Sequence, residues 1–192
     1  METNHQSKSI FYPPGGILIW IIIYLELITF GAGLIAFVYT GKNELVVFTE
    51  SATHLNKTIA TINTLLLLAS GFYTAKGVLS FKKQEITSTL KSINWAMVFG
   101  SGFIVLKCVE YYGKMQLGYN MGYNTFFMFY WLLTGFHFIH VLVGLVILFF
   151  TKRAIIKQQN QYLLEDFEAG ASFWHMCDLI WLMVFPVLYL LF

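Results

Sequence analysis

Five apolar stretches, each long enough to cross a bilayer, leave this chain few ways to fold: Gly16–Tyr39, Thr58–Phe81, Ser92–Lys114, Phe126–Thr151 and Ala171–Phe192. A spanning helix needs roughly 20 apolar residues, and inside hydrocarbon a helix satisfies its own backbone. Charged residues make up 11% of the 192, against about 25% in an average soluble domain. Most of the surface is therefore built for lipid. The expected fold is all-α and integral to the membrane, a bundle of five transmembrane helices forming one domain over residues 1–192.

The connections hold most of the charges. A net charge of +2 with scattered basic residues lacks the basic stripe that nucleic acid requires. The N-terminal segment, Met1 to Gly16, is polar and ends in Tyr12-Pro13-Pro14-Gly15-Gly16; it lacks the short apolar core of a cleaved signal, so the first span is expected to act as its own insertion signal. Cys108 and Cys177 fall in spans near opposite membrane faces and are expected to be free thiols, since a disulfide needs Cα atoms within about 7 Å.

Orientation follows from the basic residues, which are retained on the cytoplasmic side. Seven (Lys8, Lys82, Lys83, Lys91, Lys152, Arg153, Lys157) fall on the side of the N-tail and three (Lys42, Lys57, Lys114) on the other. The N-terminus is expected inside and the C-terminus outside. Around the third connection, Tyr111, Tyr112, Tyr119, Tyr123, Tyr130 and Trp131 read as headgroup-level anchors. Small residues such as Gly31, Gly71, Gly100 and Gly144 offer flat faces for close helix approach.

Ionisable groups inside a span cost a few kcal/mol or more unless they are paired or face protein. Lys107 and Glu110, three apart, can pair with each other. Glu26 and His140 share a depth of about 15 Å from the inner ends of their spans, at 1.5 Å of rise per residue, so Glu26 is expected to face the bundle with a polar neighbour on the fourth or fifth span. His137 and His140 lie on one helical face, and Glu168, His175, Asp178 and Trp181 on another. Histidine with carboxylate is ligand chemistry for a metal or haem. A di-iron bundle, however, would need Glu-x-x-His motifs on its helices, and none occurs within the five spans. The same residues also suit interhelical hydrogen bonds or a proton path, and composition alone does not separate these two.

Two strings in order carry a resemblance. Gly135-Phe136-His137-Phe138-Ile139-His140-Val141-Leu142-Val143-Gly144 resembles the GFHxxHVxxG segment of subunit III of cytochrome c oxidases, and Phe167-Glu168-Ala169 through Trp174-His175-Met176-Cys177-Asp178-Leu179-Ile180-Trp181 resembles its ending. Leu25-Glu26-Leu27 with Phe30-Gly31, then Asn63-Thr64 with Ala69-Ser70-Gly71, then Glu110-Tyr111-Tyr112 agree with successive family helices. The likeness runs from about Gly16 to the C-terminus and is to the short, five-helix form, which lacks the first two of the long form's seven helices.

The resemblance implies a non-catalytic subunit of a haem-copper oxidase that packs on catalytic subunit I beside other oxidase subunits, binds phospholipid and supports proton uptake. It implies no catalytic residue, no metal ligand and no cofactor in this chain, with haem and copper in partner subunits. Glu26, Glu110, His137, His140, Glu168, His175 and Asp178 become structural or lipid-contact positions, and the expected location is a bacterial inner membrane. The long form's V-shaped lipid cleft lies between its first two helices and the other five, so the short form has no such cleft of its own. Two alternatives stay open from sequence: the equivalent subunit of a nitric oxide reductase, and an independent transporter. The spans lack the paired, interrupted helices that mark many transporters.

Overall fold

The computed structural model describes residues 16–157 and 164–192, which are helical almost throughout. Among the described residues six helices follow one another: α1 (Ile17–Asn43), α2 (Leu45–Thr53), α3 (Lys57–Lys82), α4 (Ile86–Gln116), α5 (Thr125–Ile156) and α6 (Leu164–Tyr189). Five of them, all but α2, are long and apolar enough to cross a membrane. No strand occurs among the described residues.

The apolar stretches locate the five spans but not their ends. Helix α4 begins at Ile86 rather than Ser92, α5 continues to Ile156 rather than Thr151, and α6 begins at Leu164 rather than Ala171. Hydropathy stops at the first charges, whereas a helix already nucleated runs on through Lys91, Lys152 or Glu165 because each added residue gains a backbone bond. The segment from Thr40 to Lys57, expected as a plain connection, contains α2. Its Phe48 is fully buried among Phe37, Phe126 and Phe192, with ring centroids 5.1 to 5.4 Å away.

Local chemistry explains the ends. Asn56 and Asn124 cap α3 and α5, each side chain accepting the backbone N–H three residues on, at 3.0 and 2.9 Å. Asn124 also donates to Ser51 at 2.8 Å, which ties α2 to the start of α5. Helix α4 closes in a Schellman turn: Gly118 N–H reaches Met115 and Tyr119 N–H reaches Lys114, with Gly118 at φ 79°, where a side chain would be disfavoured. Helix α3 ends the same way on Gln84 at φ 61°, where the left-handed conformation costs about 1–2 kcal/mol.

Helix α6 lies innermost, against α3, α5 and α1. Its Trp174 seats on Gly100 of α4 and Gly144 of α5, where an added Cβ would stand 2.7 Å from the indole at either glycine. The buried interior is strongly aromatic, with Phe30, Phe103, Phe127, Tyr130, Trp174, Trp181 and Tyr189 within it. Outside stand Leu18, Ile28, Ile35, Leu65, Phe72, Val105 and Val146, more than 50% exposed apart from helix packing. Helices apolar on all sides are what a bilayer solvates.

Candidate functional site

The polar residues inside this apolar bundle form a few discrete groups, and the most enclosed is built on α4. Lys107 Nζ lies 2.9 Å from Glu110 Oε2, with side-chain exposures of 0% and 3%. The i, i+3 spacing brings the two together, as expected from sequence; burial of both is decided by α5 and α6. Tyr130 of α5 donates to Glu110 Oε1 at 3.0 Å. Tyr189 of α6 accepts from Lys107 at 2.6 Å and donates to the same carboxylate oxygen at 2.8 Å. The rings of Tyr111, Tyr130, Trp181 and Tyr189 surround the ammonium at 5.1 to 5.3 Å, within cation–π range.

Tyr130 was expected at the headgroup level as an anchor and is instead fully buried. Its hydroxyl finds a carboxylate inside the bundle, a stronger attraction than the interface offers. Tyr112 and Tyr123 remain exposed, while Tyr119 stacks on Phe127 at 4.8 Å. Lys114, one turn beyond Glu110, is also buried and donates to the His54 carbonyl at the end of α2.

Glu26 of α1 and His140 of α5 meet at 3.3 Å, with side-chain exposures of 18% and 12%. His140 is thus a polar neighbour on the fourth span, as the shared depth in the sequence led to be expected for Glu26. His140 Nδ1 donates to its own helix at the Phe136 carbonyl, 2.8 Å away, and Nε2 faces Glu26 Oε1, where a proton on either partner makes the contact a hydrogen bond. Phe173 of α6 lies parallel to the imidazole at 6.3 Å.

The remaining group runs along α6 and faces α3. Glu168 takes Lys82 at 2.7 Å, Trp181 donates to Thr64 at 2.9 Å, and Asp178 sits over Gly71, where any Cβ would strike its carboxylate. His175 Nδ1 lies 3.2 Å from Asp178 Oδ2. Asp178 Oδ1 is buried without a partner, and the His175 side chain is 44% exposed.

His137 is placed apart from His140 despite their spacing. It is fully buried, lies flat against Trp181 at 5.2 Å, and meets Phe103 and Phe30 edge-on. Neither ring nitrogen has a partner, nor does the buried amide of Asn63. Among the described residues no three His, Cys, Asp or Glu side chains converge as a ligand set. Cys108 and Cys177 are both free.

Sequence reasoning missed Tyr130, Tyr189 and the aromatic surround of Lys107, because the partners lie up to 82 residues away. The local signal was a lysine within a span, which is too costly to leave in hydrocarbon and must find company.

The chain as a whole is similar to known proteins. The family described as cytochrome c oxidase subunit III matches residues 49–191, from within α2 to the end of α6. The chain is 29% identical to cytochrome c oxidase subunit 3 of Thermostichus vulcanus over 143 residues, 72% of this chain and 69% of that protein. It is 26% identical to the probable cytochrome c oxidase subunit 3 of Mycobacterium leprae over 179 residues, 91% and 85% of the two chains. The likeness to cytochrome c oxidase subunit 3 of Aedes aegypti is 29% over 135 residues, 68% of this chain and 49% of that one. Since the match takes in four of the five spanning helices, the chain belongs to the cytochrome c oxidase subunit III family.

Proposed function

We propose that this chain is the non-catalytic subunit III of a haem-copper terminal oxidase in a bacterial inner membrane. In this reading it packs on the catalytic subunit, stabilises it in turnover, carries phospholipid at its surface and supports proton uptake, while haem and copper stay in partner subunits. The observation that carries the reading is that the family match spans the very helices whose charged groups are engaged with one another: Lys107 with Glu110, Lys82 with Glu168, and His175 with Asp178. Lys82 with Glu168 joins α3 to α6, and Tyr130 and Tyr189 join α5 and α6 to the pair on α4; a ligand set would instead converge on a common point. Relatives from bacteria and from an insect are named cytochrome c oxidase subunit 3, which favours oxygen over nitric oxide as the substrate of the complex.

The proposed orientation keeps the N-terminus inside, from the excess of basic residues at that face. Lys82 and Glu168 then stand at the cytoplasmic end, where a carboxylate can hold protons near an uptake entrance. Deleting the chain is the test. The haem spectrum of the catalytic subunit should persist while turnover falls or active life shortens. Loss of a haem band, or stoichiometric iron or copper on the purified chain, would overturn the reading.

A further inference from the structure

Helix α6 is enclosed on most sides but leaves one stripe open. His175, Leu179, Leu182 and Pro186 lie on a single helical face at spacings of four, three and four, and all four are exposed. To one side Asp178 and Trp181 engage α3 at Gly71 and Thr64. To the other, Met183 and Val187 border a hollow of about 690 Å³ shared with Gly31, Ile35 and Lys42 of α1. The stripe is thus the floor of a groove with α1 and α3 as its walls. Gly31 has open space where a Cβ would point, so the α1 wall permits close approach of another backbone.

His175 sets what can fill this groove. It stands seven residues beyond Glu168, hence about 10 Å along the helix from the Lys82–Glu168 pair, and so below the level where those charges meet water. Asp178, 8% exposed overall, accepts from His175 Nδ1, which leaves Nε2 as an acceptor on a side chain that is 44% exposed. Acyl chains offer it nothing, and an unpaired polar group in hydrocarbon is costly. A transmembrane helix with a hydroxyl, amide or indole N–H at this depth satisfies it.

We propose that the groove between α1 and α3, floored by α6, seats a transmembrane helix of another subunit, which donates a hydrogen bond to His175. This rests on the reading of the chain as an oxidase subunit and adds which face makes the contact.

The test uses the complex as purified in mild detergent, with p-benzoylphenylalanine in place of Leu179 or Leu182 and, as controls, of Val105 on α4 or Val146 on α5. Irradiation should join the groove positions, and not the controls, to a transmembrane oxidase subunit identified by mass spectrometry. His175→Leu should lower recovery of that subunit about three- to twentyfold, the range for one interhelical hydrogen bond, and His175→Gln, which keeps an acceptor, should restore most of it. Adducts from the groove to phospholipid or a second copy alone overturn the proposal, as do oxidase adducts from α4 or α5 only, and either result leaves the subunit reading standing. Absence of any oxidase subunit from the purified complex instead overturns that reading.

Discussion

Where α4 and α6 finish, Lys107 and Glu110 are shut in by three helices, and both carboxylate oxygens have donors. Toward the start of α6 the same residue chemistry is left incomplete: His175 is half open, and one oxygen of Asp178 has no partner. Both groups use an i, i+3 pair on one helix, so spacing does not distinguish them. What differs is the neighbour. Aromatic hydroxyls of α5 and α6 close over the first pair, whereas Gly71 gives Asp178 room and the His175 side chain is left 44% exposed among the described residues. A closed polar cluster fixes how helices pack, and an open one leaves a valence for something outside.

The largest expected effect breaks the closed cluster. Glu110→Leu leaves the Lys107 ammonium buried and unpaired, and should cost about 3–5 kcal/mol of stability, read as a lower midpoint of thermal unfolding in detergent. The double variant Lys107→Leu with Glu110→Leu should recover most of that loss, since a buried pair replaced by apolar groups is often neutral. If the double variant were no better than the single one, the cluster would owe its importance to Glu110 and its tyrosines rather than to the ion pair.

Gly71→Ala addresses the open end. The new methyl must displace the Asp178 carboxylate, and overpacking of this kind costs about 1–3 kcal/mol. The same assay should show a smaller loss than for Glu110→Leu. An equal or larger loss would mean that the open end, too, is fixed by the bundle itself.

His140→Ala removes the partner of Glu26 at 3.3 Å, an interaction between α1 and α5 partly open to the surroundings. A loss of about 0.6–2 kcal/mol is expected, measurable as earlier detachment of α1 in limited proteolysis. This intermediate value would set Glu26 between the two extremes.

Lys82→Ala should matter least. Lys82 is half exposed in its pair with Glu168, and exposed ion pairs contribute about 0–1 kcal/mol. A shift in unfolding midpoint outside error, and insensitive to salt, would show that this end is more enclosed than its geometry indicates.

The five spans, the pairing of Lys107 with Glu110, a polar neighbour for Glu26 on the fourth or fifth span and the single stripe of Glu168, His175, Asp178 and Trp181 were legible in the sequence. Each follows from apolar length, from helical periodicity or from depth along a helix of fixed rise, which are properties of single segments. The strings around His137 and His175 likewise pointed to the family that the matched residues establish. Only the tertiary structure decided that Tyr130 turns inward to Glu110, that α2 folds over Phe48, that His137 is pressed against Trp181 while His140 reaches Glu26, and that α6 is central with one face uncovered. Those outcomes depend on which helices become neighbours and how they rotate about their axes. Helices apolar on every side do not encode that rotation by hydrophobicity. It is settled by where Trp174 fits Gly100 and Gly144, and by which buried polar groups find partners.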